Sequence, residues 1–548
     1  MLRSERQDDI PELTRLVARA AFPEGSVVMT MRDELGFIFE DDEFAGLYPK
    51  LGQPAESPGR LALVTVMQYI ENLTDRQAAH AVRGRIDWKY ALGLELSDSG
   101  FHYSVLSEFR QRLVAGGAER LLLEKLLERC EARELLRGKK KQRTDSTHVL
   151  AAIRSLSLLE LVGETMRRTL DDLAQAAPEW LRERMQPDWV KRYSRRFDGY
   201  HLPKSQEKRW ELATTIGQDG HYLLDMVFQK STPAIVGALP MIDIMRRIWV
   251  QQFYLGDGEV HWRTKQQWGQ PPAGKTIASA EDLEAKYRVK RSTEWTGYLV
   301  HLTETCAKEH PRLITQVETT VATRHDSKVT ETIQDDLAAR GLLPEIHLVD
   351  QGYMEADLLV NSQKKGVDLL GPVPSSKSWQ DKTEGAFDHT QFHIDWVTRV
   401  ATCPRGKTSA FCSDRKTWRG TPNLTFAFRA EDCLPCPVRQ RCSRAKTGHR
   451  TLTIYPQEQY EALLAARQRQ ETEAFKELYG ERAGIEGTIS QAARRMDLRR
   501  SRYIGLSCTH LQHVATAAAI NVVRVVNWLA GEMPEATRPS PFQALARV

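Results

Sequence analysis

The sequence predicts a mixed α/β protein with a helical N-terminal domain, a helical insertion and a cysteine-rich insertion. Three observations carry that prediction. RLITQVETTV (312–321), KVTETIQDDLAARG (328–341) and EIHLVDQGY (345–353) read as strand, helix and strand, the mark of a mixed α/β domain. Residues 31–113 carry apolar positions at helical spacing. Five of the eight cysteines fall between Cys403 and Cys442, a clustering that composition alone does not explain.

The 548 residues divide into about three to five units at roughly 100–200 residues per domain. With 41% hydrophobic and 27% charged residues, a largely disordered chain is excluded. Lys+Arg number 77 against Asp+Glu 72, a net charge of +5 that permits a nucleic-acid partner without showing one. MLRSERQDDIPEL has no apolar signal segment. The apolar stretch 514–530 carries Asn521, Arg524 and Asn527 at three-residue spacing, which predicts an amphipathic helix packed on a domain rather than a membrane span. A soluble, cytoplasmic protein is expected.

Element by element, a polar lead-in (1–25) precedes helices at 61–70, after the cap Thr74, and at 104–113, where Arg110 and Arg112 lie on the polar side. Scattered arginines suit a DNA-contacting domain; a helical scaffold with solvated charges is the alternative. A further helix at 119–136 leads into the basic run GKKKQR (138–143) and a strand in QRTDSTHVLAAI (142–153). A helical, charge-dense piece follows from 155 to 197. WELATTI (210–216), HYLLDMVF (221–228) and YLVHLTE (298–304) read as strands, as does VDLLGPV (367–373). Long helices fill 455–531, and the Pro-rich tail reads as loose.

Three carboxylates stand out by position. Asp145 sits in a strand just after the basic run. Asp350 ends the apolar strand 346–349 before the turn Gln351-Gly352, and ligand groups in open α/β sheets gather at such strand ends. In ELYGERAGIEGTISQAARRM (477–496), Tyr479, Arg482, Glu486 and Ala493 fall at offsets of three, four and seven on one helix face, beside the apolar stripe Ile485, Ile489, Ala492 and Met496. Each acid has a structural alternative: Asp145 an Asx turn, Asp350 a turn former, Glu486 a helical partner of Arg482. Asp225 is a rival acid, but a mid-strand position suits a metal ligand poorly. Asp257 and Glu259 read as turn residues.

RTDSTHV around Asp145, HLVDQGY around Asp350, the Tyr479–Arg482–Glu486 helix and RRSRYIGL (499–506) together resemble the bacterial insertion-sequence transposases of the DDE class. Residues 57–113 resemble their helical N-terminal domain, so the likeness spans nearly the whole chain. The resemblance implies a ribonuclease-H-like core. It also implies Mg²⁺-dependent (Mn²⁺ possible) phosphoryl transfer by Asp145, Asp350 and Glu486, with two ions ~3.5–4 Å apart. Water would nick the element end and the freed 3′-hydroxyl would attack target DNA. Tyr479 and Arg482 would contact the scissile phosphate region. The family's basic residue seven positions after the glutamate is Ala493 here; Arg494 lies about 100° round the helix.

These readings divide the chain into a helical DNA-binding domain (26–137), a first core part (138–400) with a helical insert at about 155–205, and a cysteine insertion (401–445). C-terminal core helices (446–531) and a tail (532–548) complete it. Cys433-x2-Cys436 has metal-knuckle spacing, Cys442 is a third ligand, and Cys403 in its CPRG turn is preferred over Cys412 as the fourth. Structural Zn²⁺ is expected, with an iron–sulfur cluster or reduced thiols as alternatives.

The charge is clustered: Lys139, Lys140, Lys141 and Arg143 flank the first acid, and Arg494, Arg495, Arg499, Arg500 and Arg502 follow the third. Arg192, Arg195 and Arg196 form a third group. Such flanks would neutralise DNA phosphates, or serve as solvated helix faces. Trp262 and Trp268 are candidates for base stacking or for buried packing. The expected function is a transposase acting on the element's inverted repeats and target DNA, at least dimeric on DNA, in the bacterial nucleoid. The alternatives are a silent DNA-binding protein and a nuclease without joining activity.

Overall fold

A computed structural model of the chain describes residues 2, 9–153, 156–197, 202–263, 271–374, 378–417, 420–446 and 448–532. The N-terminal part holds helices α1 (Glu12–Ala21), α2 (Val27–Leu35), α3 (Pro58–Ile70), α4 (Asp75–Gly84), α5 (Ile86–Leu92), α6 (Ser104–Ala115) and α7 (Leu121–Ala132). Thr74 caps α4 as expected, in a reciprocal box with Gln77.

Strand β1 (Lys141–Leu150) opens the central sheet, and the chain then leaves it for helices α8 (Leu158–Ala176), α9 (Pro178–Arg184), α10 (Trp189–Tyr193), α11 (Gln206–Val227), α12 (Ala234–Gly237) and α13 (Pro240–Gln252). A hairpin of β2 (Phe253–Gly256) and β3 (Glu259–Trp262) follows. The chain returns through β4 (Lys286–Lys290), β5 (Thr293–Thr305), β6 (Ile314–Val321), α14 (Thr330–Ala339), β7 (Ile346–Val349), α15 (Ala356–Lys364) and β8 (Asp368–Leu370). The sheet runs β6-β5-β1-β7-β8, with β4 extending the β5 edge. β5 is antiparallel to β1 and β6, while β7 is parallel to β1 and β8, the mixed α/β core the sequence predicts.

The cysteine region adds a pair, β9 (His393–Asp395) and β10 (Val400–Thr402), and a small antiparallel sheet of β11 (Phe411–Lys416), β12 (Pro422–Ala427) and β13 (Thr451–Ile454). Short helices α16 (Ala430–Cys433) and α17 (Arg439–Cys442) lie between the last two strands. The chain ends in α18 (Gln457–Gln470), α19 (Glu473–Gly480), α20 (Gly484–Arg495) and α21 (Leu506–Leu529).

Two expected strands are corrected here. Residues 210–216 and 221–228 are not strands but parts of α11, whose buried Ala213, Ile216, Gly217, Gly220, Leu223, Leu224 and Val227 recur at helical spacing. Gly217 and Gly220 leave room for the rings of Phe253 and Trp249, so the glycines mark close packing rather than strand ends. The helical insertion therefore runs well past residue 205, with an apolar core of its own that includes Trp189, Phe197 and Met245. Asp225 is exposed on α11 beside His221, on a helix and not within a strand.

The helix expected at 514–530 is α21, packed on the domain, and its polar stripe turns inward. Asn521 is fully buried: its carbonyl accepts from the Ile314 amide at 2.7 Å and its amide donates to the Ile314 carbonyl at 2.8 Å. Arg524 donates to Glu304 and to the Arg312 carbonyl. The stripe therefore satisfies the start of β6 instead of facing water. α21 packs between the sheet and α3 and α7, so Leu63, Met67 and Leu126 share one apolar core with Val300, Val317 and Ile520. Each such side chain contributes about 1.5–3 kcal/mol on burial. The N-terminal helices are thereby welded to the sheet.

Trp262 is partly buried and packs edge-on against Phe253 in the insertion; Trp268 lies outside the described residues. Asp257 occupies the β2–β3 turn with a left-handed backbone, as expected of a turn residue. Among the described residues, no helix is long and apolar enough to cross a membrane.

Candidate active site

The parallel register of β1 and β7 pairs Thr144 with Val349. Asp145 and Asp350 are each the next residue, so Asp145, midway along β1, stands beside Asp350, which follows the end of β7. Backbone amides aim them: Ser146 N–H donates to Asp145 Oδ1, and Gln351 N–H to Asp350 Oδ1, both at 2.7 Å. Helix α20 packs against β1 and brings the third carboxylate. Residues 481–483 form a tight 3-10 turn between α19 and α20, yet Tyr479, Arg482 and Glu486 keep a common face.

Arg482 joins the acids. Its Nη1 donates to Asp145 Oδ2 at 2.9 Å and its Nη2 to Glu486 Oε1 at 3.1 Å. The Tyr479 ring lies 5.9 Å from the guanidinium carbon. Burial raises the Asp145 carboxyl above its usual range; Arg482 and the Ser146 amide oppose the rise, and Asp350 and Glu486 add to it. Burial disfavours the Arg482 charge, but Asp145, Tyr479 and Asp350 outweigh it and raise its pKa. Asp145 is 17% exposed and Glu486 64%, so the former forms the floor and the latter the open rim.

The layer beneath was not legible in the sequence. Thr144 Oγ1 lies 2.6 Å from His347 Nε2 and 2.7 Å from Thr303 Oγ1, and burial pushes the His347 imidazole down to about 4, leaving it neutral. Ser146 Oγ donates to the buried Asp326, and Tyr353 Oη lies 2.7 Å from His301 Nδ1. Asp326 follows β6 in RHDSK; its only sequence signal is an Asp-Ser pair opening a helix. Glu304, at the end of β5, is fully buried. It accepts from Arg143, from Arg524 Nη1 at 2.7 Å and from Thr488 Oγ1 at 2.6 Å, tying β1, α20 and α21 together.

Several expected phosphate contacts have other work. Arg143 is 3% exposed and holds Glu304 and the Glu481 carbonyl, while Lys141 pairs with Glu481. Both steady the turn that carries Arg482. Arg110 is also interior, paired with Asp75 and stacked over Tyr503. Arg502 covers the Tyr69 ring and donates to the Leu73 carbonyl, joining α21's lead-in to the N-terminal helices. Lys140 pairs with Glu345 at an exposed position, and Arg192 pairs with Asp219. The Lys139 side chain lies outside the described residues. Arg494, Arg499 and Arg500 are exposed. Arg499 donates to Thr147 Oγ1, and Thr147 shares a strand face with Asp145. Ala493 and Arg494 lie on α20 as the spacing predicts.

In the cysteine region, Cys403, Cys433, Cys436 and Cys442 line one cavity of about 250 Å³, together with Arg405, Lys407 and Arg450; Cys412 does not line it. All are free thiols. Burial raises the Cys442 thiol; Arg450 lowers it, and the other three cysteines add to the rise. Among the described residues, no three His, Cys, Asp or Glu side chains stand close enough together to hold a metal ion as placed.

Two family comparisons match the chain. A family described as "Transposase domain (DUF772)" covers residues 17–112, and one described as "Transposase DDE domain" covers 402–526. The second span includes Glu486 and all four cavity cysteines; neither includes Asp145 or Asp350. The DDE domain implies a ribonuclease-H-like fold, in keeping with the mixed sheet. No curated protein matches the chain.

Proposed function

Taking as premise the insertion-sequence DDE transposase that these two domains support, we propose that the chain binds the ends of its element, cleaves a DNA strand in a Mg²⁺-dependent reaction and joins the freed 3′-hydroxyl to target DNA. The carrying observation is the drawing of Asp145 and Glu486 onto one cation, the Arg482 guanidinium, with Asp350 alongside.

The carboxylates that gather on this guanidinium offer the hard oxygen donors Mg²⁺ prefers. Asp145, Asp350 and Glu486 would hold the ions once Arg482 turns aside. Bound Mg²⁺ polarises phosphoryl oxygens and stabilises the attacking and leaving oxygens of an in-line displacement. The chain's own groups do the rest. The Ser146 and Gln351 amides fix the carboxylates, and Arg482, released from them, offers a planar fork of donors to a phosphate oxygen. Arg499 meets the strand further along β1. No covalent link to the protein is required, and two copies of the chain act together on a pair of ends.

The test supplies pre-cut ends, Mg²⁺ and a supercoiled plasmid. Strand joining is the expected result; cutting without joining would make the chain a nuclease, and binding alone a silent relative.

We also propose a structural Zn²⁺ held by Cys403, Cys433, Cys436 and Cys442, because all four thiols line one cavity. The expected outcome is about one zinc per chain in purified protein, lost with a lowered melting temperature in Cys433→Ser. Metal-free protein with an unchanged melting curve in the variant sinks the assignment.

A further inference from the structure

The two aspartates of the site are aimed by the residues that follow them: Ser146 and Gln351 each give a backbone amide to the preceding carboxylate. Successive strand residues point to opposite faces, so the Ser146 side chain turns to the face of β1 behind Asp145. There its hydroxyl donates to Asp326 Oδ1 at 3.3 Å. The other oxygen of that carboxylate abuts the turn after Asp350: a Cβ added at Gly352 would stand 2.8 Å from Asp326 Oδ2. Gly352 has no left-handed backbone, so what its bare Cα makes room for is this carboxylate.

Further contacts fix the turn after β6 to the turn after β7. Thr330 Oγ1 donates to the Tyr353 carbonyl at 3.0 Å, and Ser327 Oγ to Glu355 Oε1 at 2.5 Å. Tyr353 Oη lies 2.7 Å from His301 Nδ1, and His301 stands opposite Ser146 in the β1–β5 register. Ser146, His301, Tyr353 and Asp326 thus join β1 and β5 to both turns. Within this group, Asp326 touches both the residue after Asp145 and the turn after Asp350. It is 7% exposed, and among the described residues its carboxylate pairs with no Lys or Arg, so its contacts are given to its neighbours rather than to a counter-ion.

The geometry points to Asp326 as a positioning residue of the cutting reaction, one that sets the gap between Asp145 and Asp350 by holding Ser146 on one side and Gly352 on the other. The inference rests on the transposase reading above. Carboxylates that hold metal ions together must keep their separation, and partners outside the ligands maintain it. A loosened pair binds the ions less tightly but supports the same chemistry once they are bound.

The test uses the full chain on labelled end DNA. In Asp326→Ala the Mg²⁺ concentration for half-maximal cutting rises about tenfold, while the rate at saturating Mg²⁺ stays within about threefold of the parent. Binding of Mn²⁺ to the chain–DNA complex, followed by loss of the free ion's electron spin resonance signal, weakens by a similar factor. Gel shifts without metal are unchanged. Asp326→Asn keeps the shape and an acceptor for Ser146, and brings the metal requirement back to within about threefold. Ser146→Ala keeps the amide that aims Asp145 and loses only the hydroxyl. It raises the requirement about threefold and adds nothing to Asp326→Ala. This variant decides the matter alone if Asp326→Ala melts early.

An unchanged metal requirement in either alanine variant that melts normally overturns the inference. A fall in the saturated rate without a change in metal binding also overturns it, and leaves Asp326 to packing. If Asp326→Asn is as defective as Asp326→Ala, the charge acts on the metal directly and the positioning role is wrong. If the parent chain itself fails to cut with Mg²⁺, it is the transposase reading that fails, before the variants are compared.

Discussion

Asp145→Ala, Asp350→Ala and Glu486→Ala each reduce Mg²⁺-dependent strand cleavage at least about 10³-fold, roughly 4 kcal/mol of barrier, while leaving end binding intact. The size follows from what each group does. Removing one carboxylate takes away one of the three oxygen donors proposed to hold the metal, two of which pair with Arg482. Asp145→Asn is the sharper variant, because it keeps an acceptor for the Ser146 amide and loses only the charge. It is expected to be as inactive as the alanine variant. Binding survives because the cations at the site remain, and Arg482, relieved of Asp145, is freer to meet phosphate. The check is cleavage of labelled end DNA beside a gel-shift measurement. Cleavage within tenfold of the parent in any of the three would remove that residue from the site.

Glu304→Ala is expected to be the most damaging change outside the carboxylates. Glu304 is 0% exposed, Arg143 4% and Arg524 17%, so the variant leaves two largely buried cations without their counter-charge, a loss of about 3–5 kcal/mol. Glu304→Gln keeps the shape and loses the charge, and falls between. Because Thr488 on α20 also donates to Glu304, the loosened helix no longer aims Glu486 and cleavage falls with stability. Burial opposes the Glu304 charge, but Arg524 and Arg143 outweigh it and hold its pKa below the usual glutamate range. The unfolded chain therefore binds its proton at higher pH than the folded one. The stabilisation is present above the unfolded pKa near 4.3 and disappears as pH falls through the lower folded value. Denaturant unfolding of parent and variant at pH 7 and at decreasing pH measures both. A difference under about 1 kcal/mol at pH 7 would show that Glu304 is not the keystone of the network.

Much of this molecule was readable from residue order. The strand before Asp350 announced itself by an apolar run followed by a turn and the one around Asp145 by its place after the basic run, and the offsets among Tyr479, Arg482 and Glu486 gave a shared face that survived the tight turn at 481–483. Helices of 61–70, 104–113 and 328–341 were legible because their apolar periodicity and caps are local. α11 was not. Its apolar residues fit a strand in short windows, and only the rings of Phe253 and Trp249, seated on Gly217 and Gly220, show why it is a helix. The polar stripe of α21 was seen but its direction was not, since Asn521 is satisfied by Ile314, 207 residues away.

By itself, then, the sequence determined the mixed α/β class of the core and the helix that carries Glu486, and it singled out the three acids proposed for the site. Those follow from periods of two and 3.6 residues and from turn chemistry, which act over a few positions. The tertiary structure alone decided which charges are free. Arg110, Arg143 and Arg502 looked like phosphate contacts and are spent on Asp75, Glu304 and Tyr69, whereas Lys308 and Arg312, unremarked in the sequence, stand open. A pattern states that a face is buried or polar; what it is buried against depends on residues hundreds of positions away. A cation's availability is a property of that neighbourhood, because an ion pair and a phosphate compete for the same donors.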